Sequence, residues 1–552
     1  MKFLYTISDY LLDVINFMGA PEIFGVPGDY NLQFLDHITH SSDMRWVGNA
    51  NELNAAYMAD GYARQKGFAA FVTTFGVGEL SAVNGLGGSM AEHVPVLEIV
   101  GSPTTTVQNN HKLVHHTFGD GNFLRFEEAH RALGYEIAHL TAENAINEIN
   151  RIAQYIFTTK KPAYINLPTD LVNIPVNIEL KSDIHKLFEV DEKNNSDFEQ
   201  YLVEKLEKAN KLVVIAGHEA ARFNLGSQIE NFVKTNNIPL SVLGLGKGAV
   251  DETITQFIGT YNGELSDETT NKIVDQADTI LLVGVKLTDS VTGAFTQSFG
   301  PSKTIALNYN EAVIFGTKYQ GDYDFKQSLD YLATNKLSDS NTVAKLENHS
   351  KVTPTSANLT QKFYDEALEQ FISSSDTFVA EQGTSFFGLS SNLLPKNAHF
   401  IGQPLWGSIG YSFPAMLGSQ IANPESRNIL SVGEGSLHLT IQEFGMAFRE
   451  KLNPIIFIID NSGYTVERII HGMTEPYNDV PKLEYKLIPA AFGATEDQYL
   501  FQKVTTEEEL AATMELARKT KDKMIVVQVI MGAKDAPETL VKMGQLFEKQ
   551  NH

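Results

Sequence analysis

Two short segments combine residue types that can hold a phosphate and a hard cation. Gly433-Glu434-Gly435 follows the apolar run ILSV and opens a helical pattern from Ser436. Glycines in such a turn let the backbone approach a phosphate, and a helix N-terminus presents free N–H groups with a favourable dipole. A second apolar run, IIFII, ends in Asp460-Asn461-Ser462-Gly463, with 24 residues (436–459) between Gly435 and Asp460. On adjacent parallel strands the two turns would meet at one sheet edge. A carboxylate, an amide oxygen and backbone carbonyls would then surround one point, an oxygen set that suits magnesium bridging to a diphosphate. Elsewhere, GNANELNAAYMADGYAR (48–64) puts Glu52 at the start of an Ala-rich helix just after a strand. A carboxyl group there could exchange a proton away from water; the helix dipole alone would also favour a glutamate at that position. Asp29 in FGVPGDYN, His115 and His116 in KLVHHTFGDG, and Glu467 at the end of GYTVE complete a set suited to relaying protons near neutral pH.

Positioning these groups requires a particular kind of frame. Apolar runs rich in Val and Ile occur at 68–76, 94–103, 161–168, 211–217, 278–285, 428–435, 453–461 and 523–529. They are apolar on both faces, end in Gly or Pro in several cases, and alternate with helical patterns, as buried parallel strands do. The expected fold class is therefore α/β, with doubly wound, mainly parallel sheets that bind ligands in the loops at the carboxyl ends of the strands. The polar stretches 181–200 and 335–360 read as linkers. They divide the chain into three domains, 1–182, 183–345 and 346–552. The glycines of GLGKG (244–248) match a fragment of a dinucleotide fingerprint, a weak signal on its own.

Composition narrows the function classes. A net charge of −24 opposes binding to nucleic acid or to an anionic membrane surface. With no cysteine, disulfides, thiolate metal sites and a cysteine nucleophile are excluded. The opening MKFLYTISDYLLDVINFMGA carries Asp9 and Asp13 within its apolar stretch and reads as an amphipathic helix rather than a signal peptide. No apolar run is long enough to span a membrane. The expected location is the cytoplasm.

The GEG…DN pattern resembles the thiamine diphosphate signature, with Glu434 where Asp is usual and Asp460 where the first of two Asn is usual. IFGVPGDYNLQFLD, NELNAAYMADGYAR, TTFGVGELSA, VHHT, AEQGTSFFG, QPLWGSIGYSFPA and GYTVERIIHG resemble the pyruvate, indolepyruvate and branched-chain 2-oxo acid decarboxylases, nearest the branched-chain members. The resemblance runs from Tyr5 to the C-terminal helix. It implies a pyrimidine-binding first domain, a Rossmann-like middle domain and a diphosphate-binding last domain. The implied cofactors are thiamine diphosphate and Mg²⁺, the metal held by Glu434, Asn461 and Gly463. The implied reaction turns a 2-oxo acid into an aldehyde and CO₂ through a cofactor ylid and enamine. Glu52 would activate the cofactor, while Asp29, His115, His116 and Glu467 serve substrate binding, protonation and aldehyde release. Thr384, Gly407, Ser408, Ile409, Gly433, Gly435, Ser436, Tyr464 and Thr465 would complete the cofactor site; Gly407 would accept from the aminopyrimidine and Ile409 would wedge the cofactor into a V shape. A homodimer or homotetramer with active sites at the subunit interface is also implied.

The same resemblance places Gln382, Phe386, Val466, Ile470, Phe547 and Ser290 around the substrate side chain. Val466 stands where strict pyruvate decarboxylases tend to carry the bulkier Ile, so longer, branched or aromatic 2-oxo acids are expected to be preferred over pyruvate. Two rival readings are a carboligase of the acetolactate synthase type and a non-catalytic paralogue on the same fold. The histidine pair with Glu467 speaks against the first, since those groups lead to aldehyde release.

Overall fold

The computed structural model describes residues 4–189, 194–337 and 351–551, and contains three sheets, each flanked by helices. The first has six strands, all parallel, in the order Arg45–Gly48, Glu22–Gly25, Ala69–Thr74, Val96–Ser102, Ala163–Pro168 and Glu136–His139. The second has seven strands; Thr304–Asn308, Thr279–Val283, Leu212–Ala216, Leu240–Leu243 and Phe257–Tyr261 run parallel, and Glu311–Ile314 and Thr317–Lys318 add an antiparallel edge. The third repeats the first: six parallel strands, His399–Ile401, Thr377–Ala380, Asn428–Gly433, Ile455–Asp460, Met524–Ile530 and Tyr499–Val504. All eight apolar runs read from the sequence form strands, and the central ones are buried along their whole length, as a doubly covered sheet requires.

In the first and third sheets the chain order reverses beside the first strand of each, and loops diverge there at the carboxyl ends, creating the crevices where such folds bind ligands. The two sheets are joined by a helix pair. Glu52–Lys66 packs on Ser412–Ala422 so closely that a Cβ on Gly61 would stand 1.9 Å from Ala415 O, and one on Gly418 2.0 Å from Met58 O. Ser412–Ala422 is buried on every side, which explains why neither helix shows a polar face over its central turns. Tyr411 donates to Asp60 Oδ1 at 2.5 Å, and Asp60 with Glu92 neutralises the buried Arg64. Removing both carboxylates would leave Arg64 as a buried, uncompensated cation.

Two local expectations need revision. The stretch 181–200 is not a plain linker: it contains the end of the helix Leu180–Asp183, the 3₁₀ turn Ile184–Phe188 and the start of the helix Ser196–Leu206, whose Phe198 and Leu202 are buried. Much of the second polar stretch, 338–350, lies outside the described residues. The opening segment forms the helix Ile7–Phe17, capped by Thr6 and Asp9 and buried on one face.

Candidate active site

The third sheet builds a cradle. Strand Asn428–Gly433 runs straight into the helix Glu434–Thr440, and strand Ile455–Asp460 ends at Asn461-Ser462-Gly463 beside it. Gly463 has φ 143°, and a Cβ there would meet Asn478 O at 2.1 Å, so the turn demands glycine. Arg468 braces the turn from below, donating to Ser462 O at 2.7 Å. Glu434 is 3% exposed, and its Oε1 accepts from Gly463 N at 2.7 Å. Burial pushes its carboxyl up to about 7. Asn461 Oδ1 is buried and accepts no hydrogen bond among the described residues. A buried acceptor without a donor, beside a carboxylate driven toward neutrality, fits a cation bound by Glu434, Asn461 and the Gly463 carbonyl. Asp460 points away and accepts from Gln528 Nε2 at 2.7 Å.

The cavity above this turn has a volume of about 280 Å³. Its wall contains Thr384, Gly407, Ile409, Gly433, Gly435, Ser436, Tyr464 and Thr465, together with Glu467 and, on the apolar side, Val466, Ile470 and Phe547. Gln382 lines it too, with Oε1 buried and unpaired among the described residues. The sequence reading did not anticipate Gly383, Ser385 and Phe387, which also face it. The pair Phe386-Phe387 offered two adjacent aromatics of one helix turn, and only the helix phase decides which one looks inward. Phe386 instead joins Ser290 around a smaller neighbouring cavity of about 30 Å³, which shares Phe387 with the first but holds none of the other predicted pocket residues. Ser408 is also not in the wall; its Oγ shares a hydrogen bond of 2.5 Å with Tyr57 and accepts from Asn84.

Four further groups converge at the first sheet. Asp29 follows Glu22–Gly25, Glu52 follows Arg45–Gly48, and His115 and His116 lie in the loops after Val96–Ser102. A Cβ on Gly28 would touch Thr74, one on Gly78 would stand 3.2 Å from Glu52 Oε1, and one on Gly76 would meet His116 O. These groups therefore share one crevice. His115 Nε2 lies 2.6 Å from Asp29 Oδ2, and His116 Nε2 lies 3.5 Å from Asp29 Oδ1. Tyr30 stacks on the His115 ring at 5.0 Å. Asp29 and His115 are exposed, an open arrangement for a proton relay. None of Asp29, Glu52, His115 and His116 lines the cradle of the third sheet. Each chain thus carries two separate halves of the set that the sequence singled out.

The GLGKG segment forms no phosphate loop. Gly244–Gly246 is a 3₁₀ turn, and Lys247 is buried, bonded to Glu252 and to Asn392 O. No helix among the described residues is long and apolar enough to cross a membrane.

Three family models match successive parts of the chain. Residues 5–122 match the thiamine pyrophosphate enzyme N-terminal TPP binding domain, 200–330 the central domain and 387–529 the C-terminal TPP binding domain. The alpha-keto-acid decarboxylase of Mycolicibacterium paratuberculosis is 38% identical over 545 residues, covering 98% of this chain and 96% of its own length. That of Mycobacterium leprae is 37% identical over 552 residues, covering 99% and 96%. Among solved structures, the thiamine diphosphate-dependent 4-hydroxybenzoylformate decarboxylase of Rhodococcus jostii RHA1 shares the fold, with a TM-score of 0.78 at 19% identity over 96% of this chain and 100% of that one. The chain belongs to the thiamine diphosphate-dependent 2-oxo acid decarboxylases.

Proposed function

We propose that, within its family's reaction, the non-oxidative conversion of a 2-oxo acid to an aldehyde and CO₂, this enzyme prefers branched-chain and aromatic acids, indolepyruvate included, and works at a site completed by a second copy of the chain. The observation that carries this reading is the separation of Glu52, Asp29, His115 and His116 from a cradle formed by Glu434, Asn461 and Gly463. Thiamine diphosphate, when bound, supplies the electron sink that a 2-oxo acid lacks. The protein's part is to orient and to handle protons. Glu52 would exchange a proton with the ring of the bound cofactor. Asp29, His115 and His116 exchange protons with the reacting acyl group, and Glu467 faces them from the opposite half. Glu434, Asn461 and Gly463 O would hold magnesium, while Thr384, Gly407, Ile409, Gly433, Gly435, Ser436, Tyr464 and Thr465 would seat the cofactor. Val466, Ile470 and Phe547 supply an apolar wall for the substrate side chain, and Gln382 offers it one polar contact.

We place the domain boundaries near residues 182 and 345 and the enzyme in the cytoplasm, as a homodimer or homotetramer. Glu52→Gln tests the reading. Bound thiamine diphosphate should be retained while CO₂ release falls by about 10²–10⁴-fold, the usual contribution of a positioned acid–base group. Undiminished CO₂ release would remove Glu52 from the mechanism, and carboligation products in excess of aldehyde would favour the carboligase reading.

A further inference from the structure

A second cluster of ligand-type side chains lies away from both crevices, where the first and middle domains meet. His93 sits in the turn between the helix Val77–Ala91 and the strand Val96–Ser102, with φ 52°. His218 and Glu219 follow the strand Leu212–Ala216 of the middle sheet. The three residues are 8%, 1% and 5% exposed, and one ligand atom from each lies within 4.8 Å of the other two. Neither ring nitrogen of His218 has a hydrogen-bond partner among the described residues. His93 Nδ1 stands 3.1 Å from Glu219 Oε1 yet off the line of a good hydrogen bond. The far carboxylate oxygen is anchored, Glu219 Oε2 accepting from Tyr309 N at 2.9 Å. Tyr309 also packs edge-on against the His93 ring at 5.6 Å, which fixes its plane.

A fully buried imidazole with both nitrogens unpaired carries an uncompensated desolvation cost. Repacking His218 as a simple core residue leaves that cost in place, whereas a shared ligand removes it. Zinc bonds of 2.0–2.1 Å at tetrahedral angles put neighbouring ligand atoms about 3.3–3.5 Å apart. The 3.1 Å approach of His93 to Glu219 is close to that edge, and a His218 nitrogen lies within 4.8 Å of both.

We propose that His93, His218 and Glu219 bind a zinc-type divalent cation that ties the first domain to the middle domain. Two imidazoles and one carboxylate make a donor set distinct from the all-oxygen set of Glu434, Asn461 and Gly463, and one that favours zinc or cobalt over magnesium. The cations Lys286 and Arg222 face the same pocket and weaken the site, so the ion should be removable by a chelator.

The test uses the full-length protein, stripped with a chelator and then titrated with Co²⁺ or Zn²⁺ in the presence of excess Mg²⁺ and thiamine diphosphate. About one Co²⁺ per chain should bind and show the intense visible absorption of a tetrahedral site, and Zn²⁺ should displace it and raise Tm by a few degrees. His218→Asn and His93→Asn should each lose the absorption band and the Tm shift while keeping the cofactor's magnesium site. If a variant fails to fold, the wild-type titration decides alone. No uptake beyond the magnesium site, a weak octahedral spectrum, or full uptake by both variants would overturn the assignment.

Discussion

Glu434 illustrates how one methylene changes a site. Its side chain is long enough to reach across the turn and accept from Gly463 N, which leaves one oxygen less for a cation. An aspartate would stop short of that amide and keep both oxygens directed at the metal. Glu434→Asp should therefore bind magnesium more tightly than the wild type, as read by calorimetric titration of the apoenzyme at fixed thiamine diphosphate. Equal affinities would mean that the strand end has already adapted to the longer residue. Val466 acts on selectivity by the same small increment. It rests on the cluster of Phe387, Leu540 and Met543 with Phe547 beside it, so an added methyl group has to project into the cavity. Val466→Ile should lower the ratio of branched substrate to pyruvate turnover by roughly tenfold or more, corresponding to about 1–3 kcal/mol. An unchanged ratio in a panel of 2-oxo acids would take Val466 out of the pocket.

At the scale of the element, the cofactor loop depends on a carboxyl group that never reaches the cavity. Glu381 follows the strand Thr377–Ala380 and is 2% exposed. It accepts from Ser412 Oγ at 2.6 Å and from Gly410 N at 3.2 Å, holding the segment after Gly407 and Ile409 in place. Burial pushes its pKa from 4.5 up to about 7. The folded carboxyl keeps its proton to a higher pH than the unfolded one, so the folded state binds more protons between pH 4.5 and 7. Stability contributed by this group is fully present below 4.5 and is lost as pH rises through 7, a change on the order of 3 kcal/mol. Glu381→Gln should flatten the fall in Tm between pH 5 and 8; a slope equal to the wild type would show that the group ionises freely. The central strands were legible in the sequence because burial on both faces gives a continuous apolar run. Strands such as Glu136–His139, Glu311–Ile314 and Thr317–Lys318 escaped notice because short, partly exposed strands carry no such run. The turns at Gly433–Gly435 and Asn461–Gly463 were legible for a local reason, since glycine and a ligand-type side chain must sit at a strand end. Sequence spacing could not show that Phe386 and Ser290 line a neighbouring cavity, because helix phase and domain docking decide which residues share one.

For the whole molecule the decisive feature is that two half-sites on one chain do not meet. Spacing along the sequence cannot reveal this, because it says which residues lie at strand ends but not which strand ends face each other. The crevice of Glu52 and the histidines is bordered by exposed apolar side chains, Val77, Leu80, Leu113 and Phe118, and Trp406 and Leu439 lie exposed near the cradle. Apolar surface concentrated around open half-sites marks a face that associates. The two-fold pairing we propose would place the first-domain crevice of one chain on the third-domain cradle of its partner, and would generate two equivalent sites per dimer. Complementation checks this directly. Glu52→Gln and Asn461→Ala disable opposite halves, so each variant alone should be inactive. When the two are co-assembled, about half of the dimers are mixed, and each mixed dimer combines both lesions in one site and leaves the other wild type. Aldehyde formation should then recover to on the order of a quarter of the wild-type level. A site built within one chain would always contain a lesion and would recover nothing.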